Sequence, residues 1–177
     1  MILSKQQKYI LGVVRDLGCV KREQLLRLYM AHASLPEDRA LRQLDAMLLQ
    51  MRNGISELRL EGDLARLERV QPNAHCLEAI DVMLELTGGA VAFYKARLPP
   101  PLLLRFALDG PHPVVFVIIR YDERAAVEKE LRPRGDQRVV WLSTCLPLDA
   151  APALPPGHFL AVRKQDGTHG FYGSNEL

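Results

Sequence analysis

The sequence predicts an α+β protein built in two parts. Three observations lead there. Residues 4–54 carry three stretches of helical apolar period. Residues 55–70 carry two short alternating segments around a glycine turn. From residue 90 onward, apolar runs of strand length are punctuated by proline and glycine.

Ser4 is a helix N-cap, and Tyr9, Ile10, Val13, Val14 and Leu17 recur on one face until Gly18 ends the first helix. Leu25, Leu26 and Leu28 define a short second helix, with Val20 packing at its entrance. Ser34 or Leu35 followed by Pro36 starts a third, because proline is tolerated in a first helical turn. Glu37 and Asp38 suit the positive end of its dipole. Its expected buried stripe is Leu41, Leu44, Leu48 and Met51, and Asn53-Gly54 stops it. Residues 55–60 and 64–70 alternate as strands, joined by Glu61-Gly62-Asp63. Ile55, Leu58, Leu60, Leu64 and Leu67 would close that hairpin onto the helices.

Three helices followed by a β-hairpin is the order of a winged helix-turn-helix, assigned here to residues 1–71. In such a module the third helix enters the major groove of double-stranded DNA. Its solvent face would carry Arg39, Arg42, Gln43, Ala46 and Gln50. Arginine can read guanine edges and glutamine adenine edges, and either can hold phosphate. Arg59, Arg66 and Arg69 on the hairpin are candidates for backbone contact, interleaved with Glu57, Glu61, Asp63 and Glu68. The candidate DNA-binding set is thus Arg39, Arg42, Gln43, Gln50, Arg59 and Arg66. The competing reading is a solvated helix face with ordinary pairs, such as Asp38 with Arg42.

Gln71-Pro72-Asn73 reads as a junction, and residues 72–177 as a second, mixed α/β domain. Asn73 caps a helix running to Thr87, with Leu77, Ile80, Met83 and Leu84 on its apolar face and Gly88-Gly89 at its end. Strands are expected over 90–96, 102–108 and 114–121, a short helix over 122–131, and a buried strand over 138–143 holding the only tryptophan, Trp141. A Pro/Ala-rich connection over 145–157 leads to strands over 158–163 and 168–172 around Gln165-Asp166-Gly167.

The 177 residues suffice to bury a core, and 48% of them are hydrophobic. With a net charge of +2 from 23 basic and 21 acidic residues, a disordered chain is excluded. The charge is unevenly divided. Residues 1–71 hold 12 basic and 9 acidic residues, a net of +3; the rest hold 11 and 12, a net of −1. The longest wholly apolar run, 114–119, is too short to span a membrane, and Arg15 and Asp16 interrupt any signal-like start. Cys19, Cys76 and Cys145 show neither a disulfide framework nor zinc spacing, which points to a reducing cytoplasm.

The order α-β-β-β-α-β from residue 73 onward resembles the common core of the restriction-endonuclease-like fold, the PD-(D/E)XK nucleases. That resemblance implies an Asp at the second strand and an acid-x-Lys on the third, together holding divalent metal. Asp109 follows the second strand, but Val114-Val115-Phe116-Val117-Ile118-Ile119-Arg120 offers neither carboxylate nor lysine. The motif is therefore degenerate. No catalytic residue, metal site or cofactor is expected, and Asp109 reads as a turn residue beside Gly110. A winged helix ahead of such a domain is similar to the replication-relaxation and related families of plasmids and conjugative transposons, and to AbiEi-like antitoxin regulators. The tail, with Phe159-Leu160-Ala161-Val162 and Asp166-Gly167-Thr168-His169-Gly170-Phe171-Tyr172, shares in that similarity. It implies a non-catalytic DNA-binding regulator or accessory protein of a mobile element, or an antitoxin-type transcriptional regulator. Residues 72–177 would then mediate homodimerisation or hold a partner protein. The alternative is an interaction module with no DNA role.

No P-loop, G-x-G-x-x-G, G-x-S-x-G or H-E-x-x-H motif occurs. The five histidines show no metal-ligand spacing; His158 and His169 could face each other across the last hairpin and make a site with His112, but surface and turn histidines are the preferred reading. Asp122, Glu123, Glu128 and Glu130, with Arg124 and Lys129, read as a salt-bridged helix face. Tyr94, Phe106, Phe116, Trp141, Phe159 and Phe171 read as sheet packing.

Overall fold

The computed structural model describes residues 2–108, 110, 113–127, 137–144 and 154–173. The chain is α+β and divides into two compact units, Met1–Ala90 and Val91–Leu177.

In the first unit, α1 (Lys5–Leu17) starts at a reciprocal capping box. Ser4 Oγ accepts from the Gln7 amide at 3.2 Å, and Gln7 Oε1 accepts from the Ser4 amide at 3.0 Å. α2 (Arg22–Ala33) ends on Ser34, a left-handed residue at φ 51°, so Ser34 closes α2 rather than opening the next helix. α3 (Glu37–Gly54) begins after Pro36. Its buried stripe is Ala40, Leu44, Leu48 and Met51; the expected Leu41 is only half-buried.

The hairpin is shorter than its alternation suggests: β2 is Leu58–Glu61 and β3 is Leu64–Leu67. Residues 55–57 form a turn instead, with the Leu58 amide donating to the Ile55 carbonyl at 3.2 Å. Glu61 pairs with Leu64, leaving a two-residue loop whose first member, Gly62, sits at φ 60°. That is the position where a type II′ turn requires glycine. A strand not expected from sequence, β1 (Cys19–Lys21), pairs antiparallel with β3, giving a three-stranded sheet in the order β1-β3-β2. The pairing puts Val20, Leu58, Leu60, Ala65 and Leu67 on one face of the sheet. Of these, Val20, Leu58, Ala65 and Leu67 are buried.

The division falls after Ala90 rather than after Gln71, because α4 (Ala74–Thr87) packs on α2 and β1. A polar seam binds it there. The Gln24 side chain donates to the Leu77 carbonyl and to Asp81 Oδ1, each at 2.7 Å. Lys21 Nζ meets Asp81 at 3.0 Å, and Arg27 donates to the Leu84 carbonyl at 3.0 Å. Gln24 and Arg27 lie about one turn apart on α2 and meet residues 77, 81 and 84 on the facing helix, while Lys21 at the end of β1 reaches Asp81.

The second unit is a six-stranded mixed sheet in sequential order: β4 (Val91–Lys95), β5 (Leu102–Leu108), β6 (Val115–Arg120), β7 (Gln137–Ser143), β8 (His158–Arg163) and β9 (His169–Gly173). β4, β5 and β6 pair antiparallel, β6-β7 and β7-β8 parallel, and β8-β9 antiparallel. Both parallel pairings need crossovers, and those fall in the segments between β6 and β7 and between β7 and β8. A 3₁₀ turn (Tyr121–Glu123) and α5 (Arg124–Val127) begin the first of them. On one face, Val117, Ile119, Val139, Trp141, Leu160 and Val162 form a buried cluster capped by Val127 and Leu154. The aromatic packing expected from sequence is visible in the stacked Phe106 and Phe116 rings, 4.9 Å apart.

Candidate nucleic-acid interface

α3 turns its apolar stripe inward, so its opposite face is fixed outward by the same 3.6-residue period. Arg39, Arg42, Ala46, Leu49, Gln50 and Asn53 are all exposed there. Among the described residues neither Arg39 nor Arg42 makes an ion pair, and the Asp38–Arg42 pair of the competing reading does not form. Gln43 and Gln50 are engaged by neighbouring helices. Tyr29 donates to Gln43 Oε1 at 2.8 Å, and Gln7 Nε2 donates to Gln50 Oε1 at 3.0 Å.

The hairpin arginines are occupied differently. Strand register sets Arg59 directly opposite Arg66, an arrangement like charges disfavour unless each is neutralised. Arg59 pairs with Glu68. Arg66 forks onto Glu61 through Nε at 3.0 Å and Nη2 at 2.5 Å, and its Nη1 reaches the carbonyls of Leu67, Glu68 and Val70. Only 13% of the Arg66 side chain is exposed. It serves as a brace for the strand end. The hydrogen bond from Arg66 holds the Glu61 carboxyl below its ordinary value. Two further arginines are neutralised nearby, Arg15 by Glu57 and Arg22 by Asp45. Arg69 is exposed with no partner among the described residues.

The six residues proposed from sequence therefore fall into two groups. Arg39, Arg42, Gln43 and Gln50 share one helix, while Arg59 and Arg66 lie on the sheet. Leu49 was not anticipated. It is 63% exposed and borders a shallow cleft of about 200 Å³ between α3 and the hairpin, lined also by Leu48, Leu60 and Leu64. The sequence signal was present, since Leu49 lies off the expected 41-44-48-51 stripe.

Other sequence candidates find ordinary places. β8-β9 pairing sets His169 opposite Arg163, at the far end of the hairpin from His158, so the two histidines do not face each other. Asp109, His112, Glu128, Lys129, Glu130 and Cys145 lie outside the described residues. Asp122 and Glu123 both pair with Arg120. Cys19 is buried and Cys76 half-buried, and burial pushes both thiols up. Among the described residues no cluster of His, Cys, Asp or Glu is placed to hold a metal ion, and no helix is long and apolar enough to cross a membrane.

No family model, curated protein or solved structure matches the chain.

Proposed function

We propose that the first unit is a winged helix-turn-helix that binds double-stranded DNA through α3, and that the protein is a non-catalytic regulator or accessory factor of a mobile element. One observation carries this reading. Four arginines around the helices and hairpin are matched to carboxylates, while among the described residues Arg39 and Arg42, on the most exposed face of α3, are left without one, as are Arg52 at the end of that helix and Arg69 beyond the hairpin. Unpaired guanidinium groups along an exposed helix face suit phosphate and guanine edges. The three-stranded sheet β1-β3-β2 beside the helices supports the winged arrangement. The second unit supports the nuclease-like comparison only through its strand sequence, with β4-β5-β6 antiparallel and β7 parallel to β6. Its third strand carries no acid-x-Lys, so a scaffold for a partner or for a second copy is the role proposed for it.

Fluorescence anisotropy with a duplex from the promoter region beside its gene tests the proposal. Binding should weaken steeply as salt rises, and Arg39→Ala with Arg42→Ala should lower the logarithmic salt slope by about 2. Absence of salt-dependent binding, or binding untouched by the double substitution, overturns it. The neutralised hairpin arginines favour a second reading, an interaction module acting on protein alone. Retained partner capture with no DNA binding would select that reading.

A further inference from the structure

We infer that the α3 face reads thymine, through its C5 methyl group, by way of Leu49 and Ala46. This rests on the DNA-binding reading above and names what part of the DNA that face distinguishes.

Arg42, Ala46, Leu49 and Asn53 follow one another at intervals of four, three and four, which lays them along a single line of the helix. That line is the one farthest from the buried stripe, and all four are exposed. It is polar at both ends and apolar in the middle. Leu49 is 63% exposed, so most of its side chain is turned to solvent at the crest of the helix, with the remainder against the cleft shared with the hairpin. Arg39 and Arg42, which make no ion pair among the described residues, favour a polyanion over an apolar protein groove on this face. Within a DNA major groove, the one apolar group on base edges is the thymine methyl, and small or branched aliphatic side chains pack against it. Arg42 and Leu49 stand about 10 Å apart along the axis. The arrangement sets a thymine against Leu49 at a base pair separate from the one that Arg42 approaches, with Ala46 between them along the helix.

The test begins with the full chain and a random duplex library, from which bound sequences are selected. Each thymine of the selected site is then replaced singly by deoxyuridine, which removes the methyl and nothing else. Wild-type protein should lose about fourfold in affinity at one or two positions, the worth of one buried methyl. Leu49→Ala, with its helical circular dichroism intact, should bind thymine and deoxyuridine duplexes alike at the Leu49 position. Three outcomes go the other way. Selected sites indifferent to deoxyuridine everywhere overturn the inference and leave DNA binding standing. Thymine dependence persisting undiminished in Leu49→Ala and in Ala46→Gly likewise overturns it. Failure to select any duplex removes the DNA-binding reading itself, and the inference with it.

Discussion

The Tyr29 hydroxyl donates a 2.8 Å hydrogen bond to Gln43 Oε1, tying the buried face of α2 to the flank of α3. Burial pushes the Tyr29 phenol up, with Arg39 acting the other way. With its oxygen engaged, Gln43 has its amide nitrogen left to donate. Tyr29→Phe keeps the ring and removes the donor. It should cost about 1 kcal/mol in urea unfolding, the usual worth of one such bond. An unchanged midpoint would show that Gln43 finds water as readily.

The Glu61–Arg66 fork should make the hairpin acid-sensitive. Arg66 lowers the Glu61 carboxyl from its ordinary value of 4.5. A carboxyl depressed in the folded state contributes stability above its unfolded value, and that contribution disappears as pH falls through the folded one. Stability should thus be held down to about pH 4.5 and drop below it. Glu61→Gln should lower stability at neutral pH and flatten this acid limb. A limb identical to wild type would assign it to other carboxylates.

Gly89 sits in a tight place at the end of α4. A Cβ there would lie 2.9 Å from the Arg27 carbonyl oxygen and 3.3 Å from the Ala31 Cβ, at a φ of +90°. The closest neighbour is backbone of α2 and cannot rotate away. Gly62, at φ +60°, has nothing within 4 Å of the same position. Gly62→Ala should therefore cost only the backbone penalty of a side chain at positive φ, about 1 kcal/mol or more, and Gly89→Ala that kind of penalty plus the clash. Thermal unfolding of both variants in parallel gives the ordering directly; equal losses would mean that the end of α4 shifts to relieve the contact.

The Trp141 indole donates to His158 Nδ1 at 3.0 Å inside the sheet domain, between neighbouring parallel strands. Trp141 is 0% exposed, so a lost acceptor could not be replaced by bulk water. His158→Leu should cost about 1–3 kcal/mol through the stranded N–H. Because Trp141 is the only tryptophan, its fluorescence follows this unit specifically during denaturation. A variant as stable as wild type would place a water or another acceptor at the indole.

Most elements were legible because their signals are local. Ser4, Gly18, Asn73 and Gly88 mark helix ends through capping that involves only nearby residues. Strands of the second unit announced themselves as apolar runs between breakers. What escaped depends on partners far along the chain. β1 is three residues long and exists because Cys19, Val20 and Lys21 meet Arg66, Ala65 and Leu64. The assignment of α4 depends on Gln24, a polar residue in an apolar helix face, finding Leu77 and Asp81. The candidate interface was legible as a helix face. Which of its arginines remain unpaired was not, since Arg59 and Arg66 differ from Arg39 and Arg42 only in the carboxylates that strand register brings beside them.

The hairpin is held at both ends. Its tip accepts a 2.6 Å hydrogen bond from the Arg22 amide to the Asp63 carbonyl. Its base is stitched by the Glu68 amide to the Glu57 carbonyl at 2.7 Å and by the Leu67 amide to the Gly18 carbonyl at 2.9 Å. A loop so fastened has little freedom left to surrender. Whatever settles on the first unit meets a rigid edge, so its residence time is governed by how well its shape matches, and the hairpin contributes almost no entropy of ordering to the encounter.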